Sequence, residues 1–379
     1  MNLFKLRGKL TRSQDLLLGL LGFLIFIAIW WLAAESSSIQ RPIIEGFNNR
    51  LPSSLNLDSE GPQIDQDSLA LAIAIQDSIA FANATEFEKV YPVLPPPPAV
   101  IKSYPELFTK DNFPVEALRS IWLNVQGYFW AISISLLFGF IIGLYPLFRG
   151  LFSKQTNALR YLPLTALTGV FILWFGIEDE MKIAFLAFGI IVYLLPVVVQ
   201  RIDEVRDVYL KTVFTLGATD WQTIRSVYIP AVMSKLMDDI RVLTAISWTY
   251  IIIAELLNRA GGVGSLIFIK ARQGQLEKVF AILFVIILIG FVQDRIFMFI
   301  DRRLFPHKYV NIANVGYKES QFGIFAVLGV TLIGLILSAL FSGFGSILWW
   351  GVGLIVIAGL LFIGLGEFKI LTNKNKEEA

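Results

Sequence analysis

Eight mostly apolar runs, each near twenty residues, constrain this chain more than any other feature: Leu16–Ala34, Ile121–Leu147, Leu159–Phe175, Ile183–Val199, Ile240–Leu257, Val279–Ile296, Phe322–Phe341 and Ile347–Leu365. Roughly 20 helical residues cross a hydrocarbon core about 30 Å thick. In a chain that is 55% hydrophobic and 16% charged, such runs predict an all-α polytopic membrane protein with about eight transmembrane helices. The first run follows Lys5, Arg7, Lys9 and Arg12 and lacks a small-residue cleavage site, so it reads as a retained anchor rather than a signal peptide.

Lys and Arg near span ends favour the cytoplasmic side. They concentrate in the N-terminus, Arg149 to Arg160, Arg201 to Arg241, Arg302 to Lys318 and the tail from Lys369, which alternate as eight spans require. Both termini and the stretch around Gly217 are then cytoplasmic. One external loop breaks the bias with Arg259, Lys270, Arg272 and Lys278.

Several chemistries are excluded. Without cysteine there is no disulfide, thiol catalysis or Cys-ligated cluster. No Gly-x-x-x-x-Gly-Lys-Ser/Thr loop exists to cradle a nucleotide phosphate, and Gly262-Val263-Gly264 lacks the strand-then-helix setting of a nucleotide fingerprint. The only histidine, His307, follows Phe305-Pro306 at a span end and reads as interfacial. No nucleophile, base and oxyanion donors converge, so no intramembrane reaction has candidates. Charges inside the membrane need a reason. Glu255, about a turn from its span end, reads as snorkelling to the interface or lining a path. Asp294 and Arg295 have Asp238, Asp239 and Arg241 as candidate partners. Trp248 and Tyr250 sit mid-span, as core packing or as aromatics facing a solute.

Between the first two spans, Glu35 to Asp67 is too polar to bury a core and reads as loop. Leu69 to Ile75 is too short to span and reads as a surface helix, and Pro95 to Pro98 as an extended polyproline strut. The last two spans carry Gly329, Gly334, Gly351, Gly353, Gly359 and Gly364, which permit close helix contact.

One polar stretch, Lys211 to Pro230, carries an apolar face. At 100° per residue Val213, Phe214, Gly217, Trp221, Ile224 and Tyr228 share about 100° of arc, and Thr219 falls off it. Gly217 within that face either admits a close neighbour or marks a bend. A surface helix on the bilayer is the alternative reading. The stretch resembles the cytoplasmic coupling loop of ABC-importer membrane subunits: Gly217 stands at that pattern's glycine, and Val227-Tyr228-Ile229-Pro230 where Ile-x-Leu-Pro is expected. Lys211-Thr212-Val213 departs from the pattern's Glu-Ala-Ala. From about Leu94 to Lys308 further residues resemble the nitrate, bicarbonate, taurine and alkanesulfonate importers. They are Pro95 and its neighbours, Leu162-Pro163 through Leu173-Trp174-Phe175-Gly176, Ala254-Glu255, Gly262-Val263-Gly264, Gly290, Asp294 and Arg302-Arg303-Leu304. Gly169 departs where that family usually has proline.

The resemblance implies a type I importer-like permease core in the cytoplasmic (inner) membrane. With the insert and the last two spans lying outside the resemblance, the chain divides into residues 1–34 (tail and first helix), 35–120 (external insert), 121–310 (core, with the loop at 201–238) and 311–379 (accessory helix pair and tail). The resemblance implies a bend at Gly217 with a short helix on each side, and Phe214, Gly217, Ala218, Asp220, Trp221 and Pro230 as contacts to an ABC ATPase. Trp248, Tyr250, Glu255, Gly262, Gly264, Lys270 and Arg272 are candidates for the solute path or gate. ATP and Mg belong to the partner ATPase, and this chain needs no cofactor or metal. The other expected partners are an external solute-binding protein, a second permease copy and the lipid bilayer, with no nucleic acid. The solute expected is a small anion. A secondary transporter driven by an ion gradient stays open, although no internal repeat or mid-membrane charge supports it. So does a non-transporting scaffold.

Overall fold

The computed structural model describes residues 11–42, 87–258, 261–308, 317–340 and 345–377. The elements are α1 (Arg12–Ser36), β1 (Ile39–Pro42), β2 (Phe87–Val90), α2 (Pro97–Thr109), α3 (Phe113–Leu144), α4 (Pro146–Ala158), α5 (Thr168–Phe175), α6 (Asp179–Asp203), α7 (Asp207–Thr215), α8 (Asp220–Thr223), α9 (Ile229–Asn258), α10 (Val263–Arg272), α11 (Leu276–Leu304), α12 (Tyr317–Leu340) and α13 (Gly345–Glu377). Among the described residues seven helices are long and apolar enough to cross a membrane, and eight spans result if one bent pair counts as a span. The protein is an all-α polytopic membrane protein. The chain divides into two compact units, Met1–Leu107 with Lys270–Ala281, and Phe108–Ile269 with Ile282–Ala379.

In the first unit β1 and β2 pair antiparallel, with Ile39 opposite Val90 and Pro42 opposite Phe87. Sequence periodicity gave no sign of this ribbon. Trp30 donates its indole N–H to Pro95 O (3.1 Å) and stacks on Phe280, 6.3 Å between centroids. The expected proline strut is shorter than predicted. Pro95 and Pro96 are irregular, but Pro97 and Pro98 open α2, where a fixed φ suits the first helical turn and the missing N–H goes unneeded. The expected surface helix at Leu69–Ile75 lies outside the described residues.

The second unit is built on α3, α6 and α9. Gly127, Ala131, Ser135, Gly139 and Gly143 recur every four residues along α3, so a stripe with little side chain faces α6. A Cβ on Gly127 would stand 2.6 Å from Leu186, on Gly139 2.6 Å from Val198, and on Gly143 2.5 Å from Ile202. That spacing lets two backbones approach closely in lipid, where dispersion rather than water exclusion holds helices together. On the other side α9 contributes Val232, Leu236, Ile240, Leu243, Trp248 and Ile251 to the same cluster, and Tyr128 donates its hydroxyl to Ile240 O.

The third expected span, Leu159–Phe175, is not a straight helix. α4 tightens into a 3₁₀ turn at Leu159–Tyr161, the backbone extends through Leu162 and Pro163, a second 3₁₀ turn covers Leu164–Leu167, and α5 follows. The two arms lie 96° apart. The apolar composition of the run was real, but Pro163 has no N–H for the ladder and disfavours helical φ/ψ at Leu162.

The accessory pair α12 and α13 cross where Gly323 meets Gly359, and a Cβ on Gly323 would stand 2.5 Å from Gly359 O. Of the glycines flagged from sequence, Gly359 is at this crossing, while Gly329, Gly351, Gly353 and Gly364 have open space around them. Arg303, at the end of α11, holds the pair by a bidentate bond to Glu367 (2.6 and 2.5 Å). Ser320 donates to the same carboxylate (3.2 Å), and Gln321 to Arg303 O (2.7 Å).

Candidate functional site

The Lys211–Pro230 stretch is two helices with a turn between them. α7 ends in a Schellman arrangement, Ala218 N–H to Val213 O (3.1 Å) and Gly217 N–H to Phe214 O (3.0 Å), with Gly217 at φ +78°. A left-handed C′ residue is the ordinary reason for glycine there. A Cβ on Gly217 would meet nothing within 4 Å. Of the two readings open in the sequence, the glycine therefore serves the bend and not a close neighbour. Thr219 then caps α8: its side chain accepts from Gln222 N–H (3.3 Å), and Gln222 Oε1 accepts from Thr219 N–H (2.8 Å). Placing Thr219 by its position off an apolar face missed this role. The capping-box spacing Thr219-x-x-Gln222 was the available signal.

Because the bend interrupts the helix, the six-residue face is not continuous. Val213, Ile224 and Tyr228 are half-buried, with Tyr228 packed on the core, whereas Phe214, Leu216 and Trp221 are 52, 80 and 67% exposed. Ala218 is half-buried, and Asp220 lies exposed in the first turn of α8. A π turn at Ile224–Tyr228 leads into α9, whose second residue, Pro230, has no N–H to continue the ladder.

Ion pairs attach this loop to the core helices. Arg201, near the end of α6, is bidentate to Asp239 of α9 (2.7 and 2.8 Å) and to Glu204 (2.9 and 2.8 Å), and Lys235 adds a third contact to Glu204 (3.0 Å). Hydrogen bonds from Arg201 and then from Lys235 lower the Glu204 carboxyl from 4.5 to about 2. Its contribution is complete above pH 4.5 and is lost as pH falls towards 2. Arg149 pairs with Asp203, and Arg241 with Asp294, one of the candidate pairings from sequence.

The other end of α9, about 45 Å away at 1.5 Å per residue, is organised around Glu255. Far from snorkelling, Glu255 is fully buried. It accepts the Ser120 hydroxyl (2.6 Å) and Gly264 N–H (2.8 Å), while Ser120 Oγ accepts Val263 N–H (2.9 Å) and Glu116 accepts Gly262 N–H. Glu116 and Ser120, one turn apart on α3, thus grip the turn after α9. Gly262, at φ +97°, has no room for a Cβ because the Glu255 carboxylate occupies that space, and a Cβ on Gly264 would stand 2.5 Å from Ile252 O. Nearby, Arg119 and the fully buried Lys182 converge on Asp179 (3.1 and 3.0 Å). A closed net of donors and acceptors surrounds the Glu255 carboxyl.

The remaining sequence candidates are scattered. Trp248 is buried and donates its indole N–H to Gln293 (2.9 Å). Tyr250 is half-buried against Gly189. Lys270 is buried, its ammonium bonded to Gln273 (3.2 Å), and Arg272 is exposed, so attraction of a solute by an exposed pair falls to Arg272 alone.

The chain is similar in sequence to known proteins. Residues 135–306 match the family described as binding-protein-dependent transport system inner membrane component. The chain is 28% identical over 223 residues to a putative aliphatic sulfonates transport permease of Bacillus subtilis (strain 168), covering 56% of this chain and 77% of the relative. It is 23% identical over 218 residues to the taurine transport system permease of Escherichia coli (strain K12), covering 56 and 79%. Among solved structures, a methionine ABC transporter in inward-facing conformations aligns at 20% identity and a TM-score of 0.39, over 48% of this chain and 96% of that one.

Proposed function

We propose, on the premise that residues 135–306 belong to the binding-protein-dependent transport inner-membrane components, that this chain is the membrane-spanning subunit of an ATP-driven importer of a small anion. It is a transport component and not an enzyme. A separate ABC ATPase supplies hydrolysis, and a solute-binding protein delivers the cargo from outside. One chain supplies one Gly217 loop and ABC machines use two ATPase sites, so the working assembly holds a pair of these chains, and a twofold homodimer is the commonest closed form. Both termini and the Gly217 loop are assigned to the cytoplasm by the Lys and Arg distribution.

The observation that carries this reading is the Gly217 loop. Phe214, Leu216 and Trp221 are presented to the surface by two capped helices, and the loop's base is fixed to α6 and α9 through Arg201. A partner seated on those side chains moves both helices. Relatives named for aliphatic sulfonates and taurine support an anion as the cargo, and a sulfonate is the class favoured.

Trp221→Ala and Gly217→Val should each reach the membrane at normal levels, retain less ATPase on purification and lose most uptake. Trp221→Ala removes an anchor of the kind that often contributes 2 kcal/mol or more at an interface, about thirtyfold in affinity. Retained ATPase and wild-type uptake in both would make this segment a surface helix.

A further inference from the structure

The broken span at Leu159–Phe175 is the feature whose backbone asks for an explanation. The residue that follows its break reaches the core: a Cβ on Gly189, near the middle of the 25-residue α6, would stand 3.3 Å from the Leu164 side chain and 2.8 Å from that of Tyr250. From Leu164 to Phe175 the helical path is only about 20 Å long, too short to cross hydrocarbon of about 30 Å. Irregular backbone at such depth does not face lipid. It is covered by protein or lines water.

The side chains separate these alternatives. Leu164, Thr168 and Phe171 form the buried face, packed with Met181, Phe185 and Ala254. The opposite face, Leu162, Thr165, Ala166 and Gly169, is exposed, and a Cβ on Gly169 would meet nothing within 4 Å. From Thr165 to Gly169 the exposed positions carry only small groups and a hydroxyl, with the large apolar side chains Leu162 before them and Leu173 and Trp174 after. The exposed side of α11 carries Ile287, Leu288, Phe291 and Val292 on unbroken helix, as a lipid contact should. Four residues before Leu164, Arg160 has a buried Nε without a hydrogen-bond partner, and among the described residues its side chain makes no hydrogen bond or ion pair. Arg149, Arg201, Arg241 and Arg303 are all paired with carboxylates. A guanidinium is always charged and presents a planar fork of donors matched to two oxygens of an oxyanion.

We propose that the exposed face of the broken span, from Leu162 to Gly169, lines the aqueous path of the solute, and that Arg160 is an anion-binding group in that path, taking a small oxyanion of the sulfonate type. This rests on the importer reading and adds a site to it.

The chain has no cysteine, so single introduced thiols report without background. Thr165→Cys and Ala166→Cys, expressed with the ATPase in membranes, are treated with 2-sulfonatoethyl methanethiosulfonate and with its trimethylammonium counterpart. Both reagents react in water and not in lipid, and the first is itself a small sulfonate. Both positions should be modified, Ile287→Cys should not, and the sulfonate reagent should react about tenfold faster relative to the cation than it does with a free thiol, as focusing by an unpaired positive charge allows. Arg160→Gln should remove that preference and Arg160→Lys should keep it. If Arg160→Gln does not reach the membrane, protection of Thr165→Cys by ethanesulfonate is measured with Arg160 in place, and absent protection counts against the site. Thiols at 165 and 166 as inert as at 287, a preference unchanged in Arg160→Gln, or a Leu173→Cys disulfide between two copies that shields the face would each overturn the proposal. Labelling is read without transport, so a chain that imports nothing leaves this test intact, and uptake is scored separately.

Discussion

Gly217 offers the sharpest test of why the loop has its shape, since φ is +78° and the space around its missing side chain is empty. Conformation and crowding then predict opposite orders for Ala and Asn. A left-handed backbone costs an L-residue roughly 1–2 kcal/mol, Asn pays less than most, and a β-branched residue pays more. Few contacts hold the bend, because Phe214 and Trp221 beside it are exposed. A strained substitution should therefore relax in the free chain, and the bend has to be rebuilt when the ATPase docks, so the strain appears in affinity. At 1.4 kcal/mol per factor of ten, Gly217→Ala should weaken docking about 5- to 30-fold, Gly217→Asn by less and Gly217→Val by more. The assay is the dissociation constant of the ATPase for the full chain in nanodiscs, with uptake alongside. Asn weaker than Ala would mean that size decides, and three unchanged affinities would mean that the bend is not used.

The other expectations follow from the same contacts. Thr219→Ala removes the α8 cap, worth about 1 kcal/mol, and should reduce ATPase retention, whereas Thr219→Ser, which keeps the hydroxyl, should behave as wild type. Glu255→Ala leaves the Ser120 hydroxyl and Gly264 N–H buried without an acceptor, at about 1–3 kcal/mol each, and should lower the thermal midpoint of the detergent-solubilised chain more than Glu255→Gln does; equal midpoints would refute the net drawn around it. Glu204→Gln should reduce stability by an amount that is constant from pH 7 to 4.5 and shrinks below that, because the wild-type carboxylate is itself neutralised as pH approaches 2. Reporters fused after Lys318 and after Lys374 should both be cytoplasmic, and one within Ser342–Ser346 external; a cytoplasmic signal from the latter would remove α12 and α13 as spans.

What was legible in the sequence is what hydropathy and glycine spacing encode. The long helices appear because a twenty-residue apolar run has few other uses, and Gly217 stands out because a glycine on an apolar face is costly without a reason, with the bend itself implied only by the family resemblance. Pairing was harder to read. Asp294 had several basic and acidic neighbours in sequence, and only the packing of α9 on α11 selects Arg241. Glu255 was misplaced for a related reason. Nearness to a span end suggested an exit to water, but the groups that bury it come from Ser120, 135 residues away, and from a turn in which Gly262 leaves room for the carboxylate.

The broken span shows where composition misleads most. Leu159–Phe175 scores as a span because a hydropathy window counts side chains and is blind to backbone hydrogen bonds, yet one proline placed in it changes what that run can face. Had Pro163 been followed by continuous helix, neighbouring side chains would have absorbed the missing N–H and the segment would have stayed a lipid-facing rod. Instead two 3₁₀ turns flank an extended pair at Leu162-Pro163, and the Leu164 side chain that follows packs toward Gly189. Exposure there means something different from exposure on α11. On α11 an exposed Ile287 is satisfied by lipid, because every backbone group beneath it is bonded within its own helix; beside Pro163 the same exposure requires water or a partner. Backbone continuity, not the apolar character of the side chains, therefore decides which exposed surfaces of this chain are candidates for the path.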